Sequence, residues 1–280
     1  MALPSFDSEW KNGEWGKPRI YVLEIRDRDK PSCDPIAWLL VERQEAYWRD
    51  ERDDTIHEAS IRLSYERISP KHSHHMSSKG YFSGGYVRGF GDRPLASLTS
   101  EPASKGAVFL DLPGLEGQRI GTYLMNEIVM WVQQWPEASV RSVQLLSGQA
   151  HDAVNKVRRN RLYEQFGLVF DYRDLEQCEG LSKPMLVSEL TPVETWRQNI
   201  REQNVHEYLG EVLYKSNLLE LELSQRVWAI KNLSGEIRRA ESRPVRWALQ
   251  RVWWRISSPL ALVATLLILG AIAWISMKSQ

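Results

Sequence analysis

Between Gly106 and Val132 the chain reads GAVFLDLPGLEGQRIGTYLMNEIVMWV: an apolar run of strand length, a turn carrying Gly114, Gly117 and Gly121, and an amphipathic helix. Such a turn lets backbone N–H groups come close to a ligand, and the helix that follows adds partial positive charge at its first turn. The chemistry this suits is binding of an anion. Strand, glycine turn and helix also recur as plain architecture, so on this run alone a structural turn stands beside the anion site. A second feature, KHSHH, groups His72, His74 and His75. Neither carboxylates nor cysteines accompany it at ligand spacing, so it reads as a polar loop and no metal is expected. Cys33 and Cys178 lie far apart and fit neither a metal pattern nor a disulfide framework; each reads as a free thiol of a reducing compartment.

Further along, beyond an apolar stretch at Val143–Leu146, comes NKVRRNRLYEQFGLVFDY: a helical pattern ending in Tyr163 and Phe166, then Gly167, then another apolar run. The two runs in this order resemble the GNAT superfamily of acyl-CoA-dependent N-acyltransferases. The family motif Arg/Gln-x-x-Gly-x-Gly/Ala falls on Glu116, Gly117, Gln118, Arg119, Ile120 and Gly121. Glu116 replaces the first Arg or Gln, and Arg119 replaces the first motif glycine; Gly121, Thr122, Leu124 and Met125 fit. The second motif, Leu-Tyr-Glu-x-x-Gly-Phe, falls on Leu162, Tyr163, Glu164, Gln165, Phe166, Gly167 and Leu168, with Leu for Phe at the end. The likeness spans Gly106 to Tyr172.

The resemblance implies an acetyl-CoA-binding N-acetyltransferase whose acceptor is a primary amine of a protein or a small molecule. It implies that Gly117, Gln118, Arg119, Ile120, Gly121 and Thr122 bind the pyrophosphate, with Leu112 at the end of the strand beside the thioester and Asn160 as a further coenzyme contact. Tyr163 holds the place of the family tyrosine, and a phenol can protonate a leaving thiolate. No base is legible; Asp111, on the strand entering the turn, is carried as a catalytic candidate and His151, just past the next strand, stands as the other, with a solvated or capping role the commoner one for each. The departures at Glu116 and Arg119 keep an alternative open, a catalytically inactive GNAT-like scaffold or regulatory protein.

These residues need a scaffold that alternates strands and helices. Ile20–Ile25, Ala107–Leu112, Val143–Leu146, Leu168–Tyr172 and Met185–Leu190 have strand length and turn-forming flanks, while Ile120–Trp135 and Val154–Phe166 have helical period. The expected fold class is α/β, a GNAT-like mixed sheet flanked by helices, over residues 1–190. Pro35–Ser69 is read as mostly helix. Ser69–Ser104, rich in Gly, Ser, His and Pro, is read as long loops around a short strand.

Beyond Thr191, Leu209, Val212, Ser216, Leu219, Leu223, Arg226, Ile230, Leu233, Ile237 and Ala240 recur at alternating spacings of three and four. This is a heptad seam, interrupted at Ser216 and Arg226, so residues 191–256 are expected to form a long helical connector. A coiled coil joining copies of the chain and a helix packed on its own domain are both compatible with it. From Pro259 to Met277 the sequence is apolar and uncharged, and a helix there would rise roughly 28 Å, about one hydrocarbon core. Residues 257–277 are therefore expected to be a transmembrane helix with a short tail at 278–280. Arg243, Arg246, Arg251 and Arg255 precede that span and only Lys278 follows it, so the expected arrangement is a single-pass, tail-anchored membrane protein with a cytoplasmic N-terminal domain. Lys and Arg number 36 and Asp and Glu 36 in the 280 residues, giving a net charge of zero. With no long basic run in the polar part, nucleic acid is not expected as a partner.

Overall fold

The computed structural model describes residues 14–15, 19–68, 79–89, 93–101, 112–150 and 153–254. The chain divides into two compact units, 1–209 and 210–280. The first unit is a mixed α/β fold. Its strands are β1 (Glu14–Trp15), β2 (Arg19–Ile25), β3 (Ala37–Arg49), β4 (Ile56–Ile68), β5 (Lys79–Val87), β6 (Leu95–Ser97) and β7 (Ser139–Val140), then β8 (Gln144–Leu145), β9 (Phe170–Tyr172), β10 (Gly180–Ser182) and β11 (Ile200–Asn204). Helix α1 spans Ile120–Val132, α2 spans Ala153–Glu164, and α3 spans Val205–Ser242. Residues 244–254 are again helical.

The main sheet runs β11-β2-β3-β4-β5-β6-β7, with β1 pairing to β3 outside that row. Its pairs are antiparallel except β6 with β7, which is parallel. A parallel pair needs a crossover, and α1 lies on the chain between these two strands. After Val140 the chain leaves this sheet and joins a smaller one, ordered β8-β10-β9.

The described residues 35–68 form no helix. They build the two longest strands, β3 and β4. The segment Glu42–Ala46 consists of good helix formers, yet alternation decides its state: Leu39 and Val41 face one side of the sheet while Glu42 and Gln44, on the other side, are also buried. Burial of both faces hides the period-two signal that an exposed strand would display. The hairpin closes at Asp50–Thr55, where the Asp53 carboxylate accepts from the Thr55 N–H at 3.1 Å and the Thr55 hydroxyl at 2.7 Å. Residues 79–87 give a nine-residue strand rather than a short one. Met185–Leu190 is not a strand but holds a 3-10 turn at Val187–Glu189. Ala107–Asp111 lies outside the described residues.

The expected transmembrane helix is also corrected. Among the described residues no helix is long and apolar enough to cross a membrane, and Pro259–Met277 lies outside them. The described helices are of two other kinds: α1 is only 13 residues long, and α3 carries Glu, Lys and Arg side chains along its length. The single-pass, tail-anchored placement and the cytoplasmic orientation derived from it accordingly find no support.

The core of the first unit lies between one sheet face and α1. Leu23, Leu39, Val41, Ile61, Leu63 and Phe82 meet Leu124, Ile128 and Val129 in one buried cluster. Gly84 permits the approach of helix to strand: a Cβ there would stand 2.6 Å from Ile128 Cγ2 and 3.1 Å from the Ser97 carbonyl oxygen. Polar atoms at the edge of this layer are matched. Trp131 Nε1 donates to the Tyr47 hydroxyl at 2.9 Å, and the Tyr123 hydroxyl lies 2.9 Å from both the Tyr21 hydroxyl and a Glu202 carboxylate oxygen. Gly84→Ala is therefore expected to lower stability by about 1–3 kcal/mol, the usual cost of overpacking a filled core. Chemical denaturation would show this as a lower midpoint at unchanged slope, and a neutral result would mean that α1 yields freely.

Candidate functional site

The turn that launches α1 is made of residues whose backbone sits in the left-handed region. Gly114 has φ +79°, Gly117 φ +80° and Arg119 φ +64°. Leu115 N–H donates to the Leu112 carbonyl at 3.0 Å and Gln118 N–H to the Leu115 carbonyl at 3.3 Å, so two tight turns follow one another. A Cβ at Gly114 or Gly117 would meet nothing within 4 Å. These glycines are needed for their torsions and not for space, and they leave the outer side of the turn open. The N–H groups of the first helical turn, from Ile120 to Thr122, have no acceptor within the helix itself.

Two other parts of the fold hold this turn. The Arg119 guanidinium donates to the Thr195 carbonyl at 2.7 Å and to Gln198 Oε1 at 2.8 Å, with Asn199 Oδ1 at 3.5 Å. Asn199, nearly fully buried, donates from Nδ2 to the carbonyls of Gln118 at 3.0 Å and Arg26 at 3.1 Å. Gln118 Oε1 in turn accepts from the Arg28 N–H at 2.8 Å. The Arg119 pKa is drawn below the ordinary value, first by burial and then by the cationic neighbours Arg28 and Arg161, with Asp29 acting in the opposite sense. Arg28, itself paired with Asp29 at 3.4 Å, and Arg161 thus lie near enough to act on Arg119 at a helix N-terminus, whose dipole adds positive potential. Glu116, where the family motif has Arg or Gln, is exposed and forms no ion pair among the described residues.

Helix α2 reaches the same place from the other side. Gln165, just past its end, donates from Nε2 to Thr122 Oγ1 at 3.0 Å, joining positions 43 residues apart in sequence. Gly167, at φ +94°, ends the helical region in the left-handed conformation typical of a helix C-terminus. Tyr163 is buried and packs against Phe170 with ring centroids 5.9 Å apart. Its hydroxyl has no hydrogen-bond partner among the described residues, and burial pushes its pKa up to about 12 against a small opposing pull from Arg159.

Gly117 to Thr122 and the helix bearing Tyr163 are therefore brought together. Leu112 is buried in the core at the start of the turn. Asn160 is occupied elsewhere: its Nδ2 donates to the Gln177 carbonyl at 3.1 Å, and its Oδ1 accepts from Arg159 at 3.0 Å, which ties α2 to the β9–β10 connection. Asp111, His151, His72, His74 and His75 lie outside the described residues. No group of three or more His, Cys, Asp or Glu side chains suited to a metal occurs among the described residues. Cys33 and Cys178 are free thiols.

Arg28, Arg161 and Gln165 carry no role in the sequence reading. Arg28 lies in the acidic-basic run RDRDK, which looks like any solvated loop. Arg161 and Gln165 lie within or beside the second motif, but only docking of α2 against α1 turns them towards the glycine turn. A polar sheet face is also illegible in the sequence, since β3 and β4 carry helix-forming side chains and β5 lies in a Gly- and Ser-rich stretch with loop composition. Gln44, Arg62 and Ser83 are cross-strand neighbours in one row, Glu42 and Ser64 in the next, and all are buried. Gln44 Nε2 donates to Glu42 Oε1 at 2.6 Å, and the Arg62 guanidinium lies 4.0 Å from the Tyr81 ring centroid. Two surface clefts, of about 510 Å³ beside Pro94 and Pro136 and about 390 Å³ beside Arg43 and Glu127, are lined by neither the turn nor Tyr163.

No family model, no curated protein and no solved structure matches this chain.

A phenol whose folded pKa is raised from 10.0 to about 12 contributes stability that is complete below pH 10 and is lost as pH rises through 12. Ultraviolet titration of the native chain is expected to show Tyr163 ionising well after the exposed tyrosines. Burial raises the Tyr21 and Tyr123 phenols as well, so the Tyr163→Phe variant should lose one phenol from the late component, not the whole of it, and resist alkaline unfolding better. A Tyr163 that titrates near pH 10 would contradict the burial described.

Proposed function

We propose that this chain is an N-acetyltransferase of GNAT type that moves an acetyl group from acetyl-CoA to a primary amine. The observation that carries the reading is the Gln165–Thr122 hydrogen bond at 3.0 Å, which sets the helix bearing Tyr163 beside the glycine turn that opens α1. Two sequence motifs that resemble those of one family are adjacent in space in the order that such chemistry requires.

The residues present suit the coenzyme. Its pyrophosphate would be held by the N–H groups from Gly117 to Thr122, with Arg28 and Arg161 supplying counter-charge. Arg119 is already committed to Thr195 and Gln198, so it braces the turn and leaves binding to its neighbours. Acetyl-CoA supplies an acyl group activated as a thioester. The amine nitrogen forms a bond to the acyl carbon as the carbon–sulfur bond breaks, and the amine proton passes to solvent or a base. Tyr163 delivers its hydroxyl proton to the departing sulfur and regains one from water. A phenol pKa near 12 keeps that proton in place at neutral pH, as an acid requires.

Calorimetric titration of the chain with acetyl-CoA tests the reading directly, and an absence of binding at millimolar concentrations would end it. Arg28→Ala and Arg161→Ala are each expected to weaken binding by roughly tenfold or more, the effect of one charge-assisted contact. Tyr163→Phe is expected to leave that affinity within about threefold while lowering kcat on an accepted amine by about 10²-fold or more. Binding without turnover on any amine would instead favour the non-catalytic scaffold, a reading to which the structural use of Arg119 lends some weight.

A further inference from the structure

Helix α3 runs unbroken for 38 residues from Val205 to Ser242. Asn204 precedes it and accepts the His206 N–H on its side-chain oxygen at 2.8 Å, a capping contact that satisfies one of the open donors at a helix start. Along the helix Leu209, Val212, Leu219, Leu223, Ile230, Leu233 and Ile237 are between 44% and 66% exposed. These are the apolar members of the heptad seam, Leu209, Leu223, Ile230 and Ile237 at a positions and Val212, Leu219 and Leu233 at d positions. A helix this long gains most of its stability by burying such a stripe, so exposure of the whole seam leaves its main source of stabilisation unused.

We infer that the seam of α3 is covered by the α3 of a second copy of this chain, in a two-stranded coiled coil. Three observations select that occupant. The first is spacing: three-and-four recurrence continues from Leu209 to Ala240 on an α-helix without a break, and knobs-into-holes packing against a like helix requires that period. Ile230 and Ile237 at a with Leu233 at d are the side-chain shapes that favour two strands over three or four.

The second observation is charge. Lys215, which pairs with Glu211 one turn earlier at 2.6 Å, falls at a g position and faces Glu220 of the second copy if the helices are parallel, or Glu236 if they are antiparallel; a parallel pair also sets Glu236 against Glu241, so charge favours the antiparallel one. Arg226, the one charge in the seam, brings its own counter-ion: it pairs with Glu222 one turn earlier at 2.5 Å. Ser216 and Arg226 are then the polar positions that fix register at some expense of stability.

The third is area. At roughly 60–120 Å² for each aliphatic side chain withdrawn from water, the seam on two copies removes about 1,000 Å², the size at which specific interfaces begin. Leu213 and Val227, at e positions and also exposed, widen the stripe on one side. The inference is independent of the acyl-transfer reading, since no residue of α3 takes part in that site.

Disulfide trapping in the full chain tests it. In a background of Cys33→Ser and Cys178→Ser, the single change Ser216→Cys places a thiol at an a position with almost no change in shape. Under mild oxidation a parallel pair should yield covalent dimer from Ser216→Cys alone. An antiparallel pair, in which Ser216 faces Leu233 of the other copy, should yield it only when Leu233→Cys is added. Ser224→Cys, on the outer side of the same helix, should yield at least tenfold less in both cases. Sedimentation should show dimer for the unmodified chain and monomer after Leu223→Lys combined with Ile230→Lys, with near-ultraviolet circular dichroism of that variant reporting whether the first unit is intact. A monomeric unmodified chain, or trapping at Ser224→Cys as efficient as at the seam, would overturn the inference. So would dimerisation that survives the two lysines.

Discussion

Arg119 stands at φ +64° immediately before α1, a left-handed residue that is not glycine, and the first unit depends on its staying there. That conformation costs a non-glycine residue on the order of 1–2 kcal/mol. Acceptors from Thr195, Gln198 and Asn199 hold its guanidinium and offset the cost. The consequence is geometric. With the turn clamped at its end, α1 must leave in one direction, and that direction carries Ile128 over Gly84, Tyr123 to Tyr21 and Trp131 to Tyr47. Gly114 and Gly117 remain open beside that clamp, a Cβ at either meeting nothing within 4 Å.

Rotation of α1 about its own axis is limited by charge as well as by packing. Arg43 pairs with both Glu45 and Glu127, and burial holds the Glu127 carboxyl above its ordinary range although Arg43 pulls the other way. A partly buried pair of this kind adds little net stability, because desolvation consumes much of the attraction. Separating it is another matter: a helix turned by a fraction of a turn would leave a carboxylate buried without its counter-charge. Apolar burial makes the layer stable, and the ion pair penalises alternatives to its register.

The legible and illegible parts of the sequence differ for physical reasons. Helices α1, α2 and α3 could be read because an amphipathic helix repeats every three to four residues and shows this in composition. Strands β3 and β4 could not, because both of their faces are buried and Glu42–Ala46 offers helix-forming side chains to a segment that the sheet claims. Of the candidate site, Gly117 to Thr122 and Tyr163 were legible through their resemblance to known motifs. Arg28 and Arg161 were not, since a cation acquires a role only from what lies beside it. Asn160 shows the converse, a plausible ligand by position on its helix whose amide is taken by the Gln177 carbonyl.

Sequence alone determined that α1, α2 and the seam-bearing part of α3 are helices, because helical period is a local property; it did not show that the connector expected from residue 191 becomes helical only at Val205, Ile200–Asn204 being β11 at the edge of the main sheet. Only the tertiary structure decided that Ala37–Arg49 and Ile56–Ile68 are strands, that Asn199 and Arg28 belong to the turn before α1, and that Gln165 joins the two motifs. Each of these rests on pairs far apart in the chain, where burial and charge are set by folded neighbours and no periodicity records them.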